Sequence, residues 1–572
     1  MALPHMPGES HVLPRLIPIV TIIAAIIAAF HNGLATPFVL DDLATIVANP
    51  SLRAFWPIST VLFPPAEIYS AGRPLLNLSF ALNYALSGTS VTGYHVVNVA
   101  IHAMSALALY GLLRRTFDCP RLRPRLGPVA VPLALAIAVL WAVHPLQTAS
   151  VTYVSQRAES LMGMWYLLTL YCFARSLEHG HRGWLAASVA ACGLGMATKE
   201  VMVTAPVVVF LYDSFYGAGN GSSAWKQRWR YYVGLASTWI VLSGLMFTSG
   251  LGQRGVGFAQ PMGPLTYAGM EVRAITRYLH LSGWPDGLVF DYGFNLPPPT
   301  GVELATGLAV IAFLVGGTGL ALARRRSMGF LGAAFLIILA PTSSIVPVSG
   351  QPIAENRVYL PLAAVVIALA SGLYIVAGKR AAILAATTAL VLGGLAYGRN
   401  RDYRSEVALW ADSLAKQPVN ERGWVLYADA LKKVGRKKEA VSALAAGLKH
   451  RQSPELENNL AVALFLDGQM TEALGHFETA IRLKPDYHEA YYNLGALLYR
   501  AGNLQQALVC FETSLRLKPN QIEAGNYAGV CLLELGRTSE AVTQFRRVLE
   551  RDPKHQAAST NLAVALSRLA PR

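Results

Sequence analysis

Residues 468–501 read GQMTEALGHFETAIRLKPDYHEAYYNLGALLYRA, and residues 502–535 read GNLQQALVCFETSLRLKPNQIEAGNYAGVCLLEL. The two blocks agree at Gly468 and Gly502, Ala473 and Ala507, Phe477 and Phe511, and Pro485 and Pro519. A third copy continues with Gly536, Ala541, Phe545 and Pro553. Leu460, Leu494, Ala528 and Leu562 keep the same spacing, and Gly435 with Ala440 adds a degenerate first copy.

A 34-residue period with a turn glycine, a small residue at the helix crossing and a terminal proline is that of the tetratricopeptide repeat, a helix-turn-helix unit. Repeats are expected at 421–453, 455–488, 489–522 and 523–556, with a capping helix at 557–570, because each unit buries its apolar face on the next. Such an array offers a concave groove to an extended peptide. Asn459, Asn493, Asn526 and Asn561 recur on the first helix of the repeats. An asparagine can clamp a peptide backbone through its donor and acceptor, or it can satisfy a neighbouring helix. The array itself carries no catalytic constellation.

Upstream of the repeats the composition changes. Residues 1–400 hold 25 Lys/Arg and 14 Asp/Glu, whereas residues 401–572 hold 23 and 19. The whole chain of 572 residues is 53% hydrophobic and only 14% charged. Its mean hydropathy is +0.38. Soluble domains are nearer 25% charged, so a wholly soluble protein is excluded. Eleven of the 15 excess positive charges lie in the apolar part, which points away from a nucleic-acid partner. Five cysteines show neither a CxxC nor a His-linked spacing, which argues against a zinc site or a disulfide framework.

About 20 mostly apolar residues are needed to cross a bilayer. Eleven stretches qualify, near 15–33, 94–113, 128–144, 157–177, 183–198, 200–216, 230–250, 302–323, 328–347, 357–377 and 381–398. The stretch 74–88 reads as an interfacial helix. The even loops carry the basic clusters: Arg114, Arg115, Arg121, Arg123 and Arg125; Arg175 and Arg182; Lys226, Arg228 and Arg230; Arg324, Arg325 and Arg326; Lys379 and Arg380. The positive-inside bias makes those loops and the N-terminus cytoplasmic and the repeats extracytoplasmic. The first segment lacks a small-residue cleavage site and is expected to stay as a span rather than a removed signal. The fold class is thus all-α, a polytopic membrane bundle over 1–400, a linker and first helix over 401–420, and an α-solenoid over 421–572.

Two outside loops are long, 34–93 and 251–301, with Gly, Pro, aromatics and isolated charges. Loop 34–93 opens with Phe38-Val39-Leu40-Asp41-Asp42. Two adjacent carboxylates at a membrane exit are costly unless solvated or used. They read either as a solvated turn or as a site. Arg73, Arg157, Lys199 and Arg357 fall at outside helix ends, where each is a phosphate ligand or a snorkelling anchor. Glu159 and Glu200 sit beside candidate cations, as acids or as salt-bridge partners. His95 and His102 lie seven residues apart, two turns along one helix face, and His144 begins the third outside loop. They read as structural or substrate hydrogen-bonding groups, with a three-histidine metal site as the alternative. Gly250-Leu251-Gly252-Gln253-Arg254-Gly255 lacks the strand-before, helix-after context of a dinucleotide loop.

Phe38–Asp42 with Asn49-Pro50 resembles the first-loop motif of the TMTC family, transmembrane and tetratricopeptide-repeat O-mannosyltransferases. In order, the same resemblance is carried by Gly72-Arg73-Pro74-Leu75 with Asn83-Tyr84; Gly93-Tyr94-His95 with Asn98 and His102; His144-Pro145; Ser155-Gln156-Arg157-Ala158-Glu159; Lys199-Glu200; and Glu355-Asn356-Arg357 with Tyr359-Leu360-Pro361. It covers most of the chain. The family is similar to the wider GT-C class of polytopic transferases.

The resemblance implies an inverting membrane glycosyltransferase, with mannose on a polyprenyl-phosphate donor and Ser/Thr of an exported protein as acceptor. Asp41 would be the base, with Asp42 orienting the acceptor or sharing that role. Arg357, then Lys199 and Arg157, with Arg73, would hold the lipid phosphate. No metal or cofactor is required by a monophosphate leaving group, and a divalent ion near Asp41 is compatible with it. The short array points to a bacterial member in the cytoplasmic membrane. Two other classes fit the residues: a non-enzymatic membrane scaffold assembled by the repeats, and a GT-C enzyme acting on a glycolipid or cell-wall glycan.

Overall fold

The computed structural model describes residues 13–65, 68–248, 263–294, 296–343 and 351–569. Among them every regular element is helical. The chain divides into two units, Met1–Asp412 and Ser413–Arg572.

The first unit holds α1 (Leu13–Phe30), α2 (Pro74–Ser87), α3 (Val91–Phe117), α4 (Ala130–Ala142), α5 (Arg157–His179), α6 (Arg182–Met196), α7 (Ala205–Tyr212) and α8 (Gly221–Thr248). It continues with α9 (Pro264–Gly283), α10 (Gly301–Ala323), α11 (Ser327–Leu339), α12 (Leu362–Ala377), α13 (Arg380–Asn400) and the start of α14 (Glu406–Lys416). Each of the eleven expected spans coincides with a helix. Those near 230–250 and 328–347 run at their far ends into residues outside the described set.

Six helical segments of this set are long and apolar enough to cross a membrane by length and composition, and α11 and α12 are shorter apolar helices. The expected span near 200–216 is broken, with a 3-10 turn at Glu200–Thr204, the short α7, and a π turn at Asp213–Gly217. The Asp213 carboxylate, buried there, takes hydrogen bonds from Arg228 at 2.9 Å and Tyr232 at 2.5 Å. α2 buries Leu76, Asn77 and Phe80 and leaves Leu82 and Leu86 exposed.

The second unit holds α15 (Glu421–Lys433), α16 (Lys437–His450), α17 (Pro454–Leu466), α18 (Met470–Leu483), α19 (His488–Arg500), α20 (Leu504–Leu517), α21 (Ile522–Glu534), α22 (Thr538–Arg551) and α23 (Gln556–Leu569). The period shows directly in the backbone. Gly435, Gly468, Gly502 and Gly536 end the first helix of each pair at φ of +79° to +87°, a left-handed turn that glycine makes without strain. Ala440, Ala473, Ala507 and Ala541 are all fully buried at the crossings. One periodic contact escaped the sequence reading. A Cβ on Gly495 would stand 2.9 Å from the Phe511 ring, and one on Gly529 would stand 2.5 Å from that of Phe545. The helices of a pair touch there through glycine.

Candidate functional site

The acidic pair is built by a tight turn. Leu40 has φ +49°, a left-handed conformation rare for a branched side chain and characteristic of strained sites. Beyond it the two carboxylates part company. Asp42 is fully buried. Its Oδ2 accepts from Val39 N at 3.1 Å and its Oδ1 from Ser155 N at 2.6 Å. Burial pushes its pKa up to about 7, against the pull of those two N–H donors. Asp42 therefore ties loop one to a segment 113 residues away. Asp41 is half-buried, and its backbone N–H donates to the Tyr153 hydroxyl at 3.1 Å.

An aromatic wall lies beneath the turn. Val39 and Leu40 pack with Tyr153, Tyr403 and Leu409 around Phe290. The Phe290 ring stands 5.1 Å from Tyr153, 5.7 Å from Tyr403 and 5.5 Å from Trp410, each edge to face. Loop one, loop seven and the start of α14 thus share one apolar contact.

Tyr153 to Glu159 is the hub. Tyr153 and Ser155 hold the acidic turn. Gln156 Oε1 accepts from Asn356 at 2.7 Å and from the Tyr69 hydroxyl at 3.4 Å. Arg157 is fully buried and donates to Asn98 Oδ1 at 2.6 Å, to Ser79 O at 3.1 Å and to Tyr94 O at 3.0 Å. Its guanidinium lies 4.6 Å over the Phe80 ring. The Glu159 carboxylate, also buried, takes the Lys199 ammonium at 2.5 Å. Burial works most strongly against the charge on Lys199, but Glu159, Tyr69 and Glu200 together hold the pKa above the ordinary lysine value.

Arg73 pairs with Glu200 at 3.1 Å and stacks over Tyr69. The backbone bond from Leu75 N to Ala197 O, 3.2 Å, brings those two segments together. Arg73, Glu159, Lys199 and Glu200 so form a four-charge cluster of zero formal net charge. Arg73 and Glu200 are its more accessible members, with side chains 12% and 35% exposed.

The motif Glu355-Asn356-Arg357 reaches three places at once. Asn356 joins the hub. Glu355 accepts from Val289 N at 2.7 Å and the Tyr292 hydroxyl at 2.9 Å. Arg357 turns to loop seven, pairing with Glu271 at 3.4 Å and donating to Pro352 O at 2.9 Å and Gln351 O at 2.5 Å. Burial raises the Glu271 pKa against the pull of Arg357.

The four cations expected to meet a lipid phosphate are therefore all engaged within the protein. Arg73, Lys199 and Arg357 have carboxylate partners, and three carbonyl oxygens from α2 and α3 take the donors of the buried Arg157, which makes it a brace between those helices. The pairs of Arg357, with Glu271, and of Arg157, with backbone, carry no sequence signal, since their partners lie far away in sequence. Asn77 was also missed. Its amide bridges Asn49, Ser51, Ser70 and the Val61 carbonyl, fastening loop one to α2.

The histidines are separate. His95 Nε2 meets Thr36 Oγ1 at 3.0 Å and Thr36 O at 2.9 Å. His102 meets the Tyr359 hydroxyl and Ala142 O, both at 2.9 Å, and His144 Nδ1 accepts from Leu146 N at 3.2 Å. Among the described residues no group of three His, Cys, Asp or Glu is placed to hold a metal ion. The run Gly250–Gly255 lies outside the described residues.

In the repeats, Asn493 donates to Asn458 Oδ1 and Asn561 to Asn526 Oδ1, both at 3.0 Å. Asn459 donates to Glu455 O of its own helix at 2.7 Å. The partner of Asn493 is thus Asn458 and not its neighbour Asn459. At these positions the asparagines knit successive repeats together.

Residues 73–247 match the family model described as dolichyl-phosphate-mannose-protein mannosyltransferase. Residues 452–520 and 529–569 match tetratricopeptide-repeat models. The protein O-mannosyl-transferase F38B6.6 of Caenorhabditis elegans is 24% identical over 73% of this chain and 60% of its own. The protein O-mannosyl-transferase TMTC4 of Homo sapiens is 28% identical over 72% of this chain and 63% of its own. The protein O-mannosyl-transferase Tmtc1 of Drosophila melanogaster is 31% identical over 34% of this chain and 22% of its own. The chain thus spans less than two thirds of the length of these relatives. Among solved structures, the crystal structure of MamA aligns over 26% of this chain and 87% of its own, at 25% identity and a TM-score of 0.24. The resemblance carried by the ordered motifs is borne out by the family models and the curated relatives together.

Proposed function

We propose that this chain, shown to resemble the transmembrane and tetratricopeptide-repeat O-mannosyltransferases, is a membrane glycosyltransferase. It moves a sugar, mannose by the names of its relatives, from a polyprenyl-phosphate carrier to a Ser/Thr hydroxyl of an exported protein. Asp41 takes the hydroxyl proton as the acceptor oxygen attacks the anomeric carbon. The bond from that carbon to the phosphate oxygen breaks, and the phosphate leaves with the electron pair. A single displacement inverts the anomeric centre, and the donor carries its own leaving group, so the reaction requires no resident cofactor.

The observation that carries this reading is the hub. One seven-residue segment, Tyr153–Glu159, contacts both members of the acidic turn and the Arg73/Glu159/Lys199/Glu200 cluster. Fixed cations such as Arg73 and Lys199 are what a departing phosphate needs, because they are set before the reaction begins. The pairing of those cations fits a site that must stay folded when empty. An incoming phosphate competes with Glu200 for Arg73, the more exposed of the pairs. Asp42 acts as a positioning residue, fixing the turn that presents Asp41.

The repeats, on this reading, present the acceptor. The bias of basic residues to the even loops supports an extracytoplasmic array, on the same side as loop one. The test is mass spectrometry of exported proteins from cells with and without this chain. Hexose lost from Ser/Thr peptides is the expected result. Hexose lost from a glycolipid or cell-wall glycan with the peptides unchanged would reassign the acceptor, and no glycan change in either fraction would leave the scaffold reading standing.

A further inference from the structure

A chamber lies in the first unit, away from the acidic turn. It is a cavity of about 920 Å³ enclosed by α3, α5, α7, α11 and α12. The N-terminal part of α3 supplies Tyr94 and Asn98 to the hub, and its C-terminal part, Leu109 to Phe117, lines this cavity. From Asn98 to Leu112 is about 21 Å at the helical rise of ~1.5 Å per residue. The hub and this cavity are at different levels of the bundle.

The lining is sharply divided. Along α12 it is mostly apolar from Ala363 to Ile375, about 18 Å of helix at the same rise, with Ser371 and Tyr374 as its polar members. That is close to one leaflet, half of a hydrocarbon core ~30 Å thick. Met328 and Ile375 line the cavity and are also exposed, so its side opens outward between apolar side chains. At one end stand Arg121, Arg125, Arg325 and Arg326, and among the described residues no Asp or Glu lines the cavity.

Arg121 and Arg325 brace the turns, donating to Phe215 O at 3.1 Å and Ser214 O at 3.4 Å. Arg125 and Arg326 are exposed and make no ion pair with a described residue. Arg325 is held at φ +53°, a left-handed conformation that is strained in a non-glycine residue and persists where its surroundings require it. Four guanidinium groups over an apolar slot have one complementary ligand type, a phosphate head with a hydrocarbon tail, since guanidinium forks match phosphate oxygens.

We propose that this cavity binds an anionic phospholipid, its phosphodiester head held by Arg121, Arg125, Arg325 and Arg326 and one acyl chain lying along α12. The site is separate from the proposed sugar-transfer site and stands or falls independently of it. In the membrane such a lipid wedges α11 against α12, the helix that begins just after Arg357 and Tyr359.

The test is native mass spectrometry of the full-length protein released from nanodiscs of phosphatidylcholine containing a minor share of phosphatidylglycerol. Phosphatidylglycerol should be retained preferentially. Arg125→Ser with Arg326→Ser should lower that preference about 30-fold, roughly fivefold for each arginine near a charged lipid surface. Ser371→Trp, which fills the slot from its half-buried wall, should reduce retention of phosphatidylglycerol with the four arginines intact, and it carries the test alone if the double variant does not insert. No preference in the wild type, an unchanged preference in both variants, or retention of polyprenyl phosphate in place of phospholipid would each overturn the proposal. Displacement of the lipid by glycerol phosphate as readily as by phosphatidylglycerol would also overturn it, because the tail would then contribute nothing.

Discussion

The two units handle polar groups in opposite ways. In the first, ionisable side chains lie deep in the protein: Asp42, Arg157, Glu159, Lys199, Asp213, Glu271, Glu355 and Arg399 are all buried. In the second, Glu457 is the one charged residue buried among those described. The repeats are held by small residues against rings, used again every 34 positions. The first unit is held at its centre by contacts that each occur once. A buried ion pair is weak evidence of stability by itself, since desolvation offsets most of its attraction. A concentration of them around one seven-residue segment is better understood as geometry maintained for chemistry.

The sharpest way to break that contrast is Asp41→Asn. Carboxylate and amide have nearly the same shape, so insertion and folding should survive, while loss of the base should slow transfer about 100- to 10,000-fold. Turnover measured in reconstituted membranes with a polyprenyl-phosphate sugar checks this. Near-normal turnover would remove Asp41 from the mechanism.

Next comes Lys199→Met. It strands Glu159 in the interior, and removing one partner of a buried pair costs about 3–5 kcal/mol. Thermal unfolding in detergent should show a large loss, recovered in good part when Glu159→Gln is added. If the recovered double variant binds the carrier lipid as well as wild type, Lys199 is a structural residue and not a phosphate ligand.

A smaller effect is expected in the repeats. Gly529→Leu forces a side chain into the Phe545 ring, and overpacking of this kind costs about 1–3 kcal/mol. The damage should stay in the repeats: transfer to a short peptide is unchanged, and transfer to the native protein acceptor falls. Equal loss with both acceptors would show that the two units are not independent in function.

The smallest effect is pH-dependent. The Asp42 carboxyl stands at about 7 in the fold against an ordinary value of 3.8. A carboxyl whose pKa rises on folding stabilises the folded loop while protonated, so its contribution is full below pH 3.8 and fades as pH rises through about 7. Hydrogen exchange in loop one should therefore lose protection over that window in wild type and show no such trend in Asp42→Asn.

The contrast also explains what could be read from the chain. A position seen three times, such as Gly468, Gly502 and Gly536, declares its role through its period, and the helix pairs appear where the period puts them. The motifs of the first unit each occur once, and their order along the chain carried the resemblance without their geometry. Nothing local to Asp41-Asp42 tells which carboxylate is enclosed, because the donor that encloses Asp42 is Ser155 N. The partner of Arg357 is in loop seven, whose Glu271 stands alone in sequence. Asn458 and Asn459 are adjacent, and a helix turns about 100° per residue, so only the packed helices select the one that reaches Asn493. Tyr153 could have been found: it lies two residues before the quoted Ser155 motif.

Leu409 and Trp410 belong to the wall under the acidic turn, yet they follow the last apolar helix and precede the first repeat. Anyone tailoring a repeat-free form of this chain would be drawn to cut at the end of α13. That cut removes a fully buried leucine and the tryptophan edge that meets Phe290, and it uncovers the floor on which Asp41 stands. The last residues of the first unit are already written in the repeats' alphabet. Grafting a different array onto this chain should therefore begin after Asp412, with everything before it kept as part of the donor scaffold.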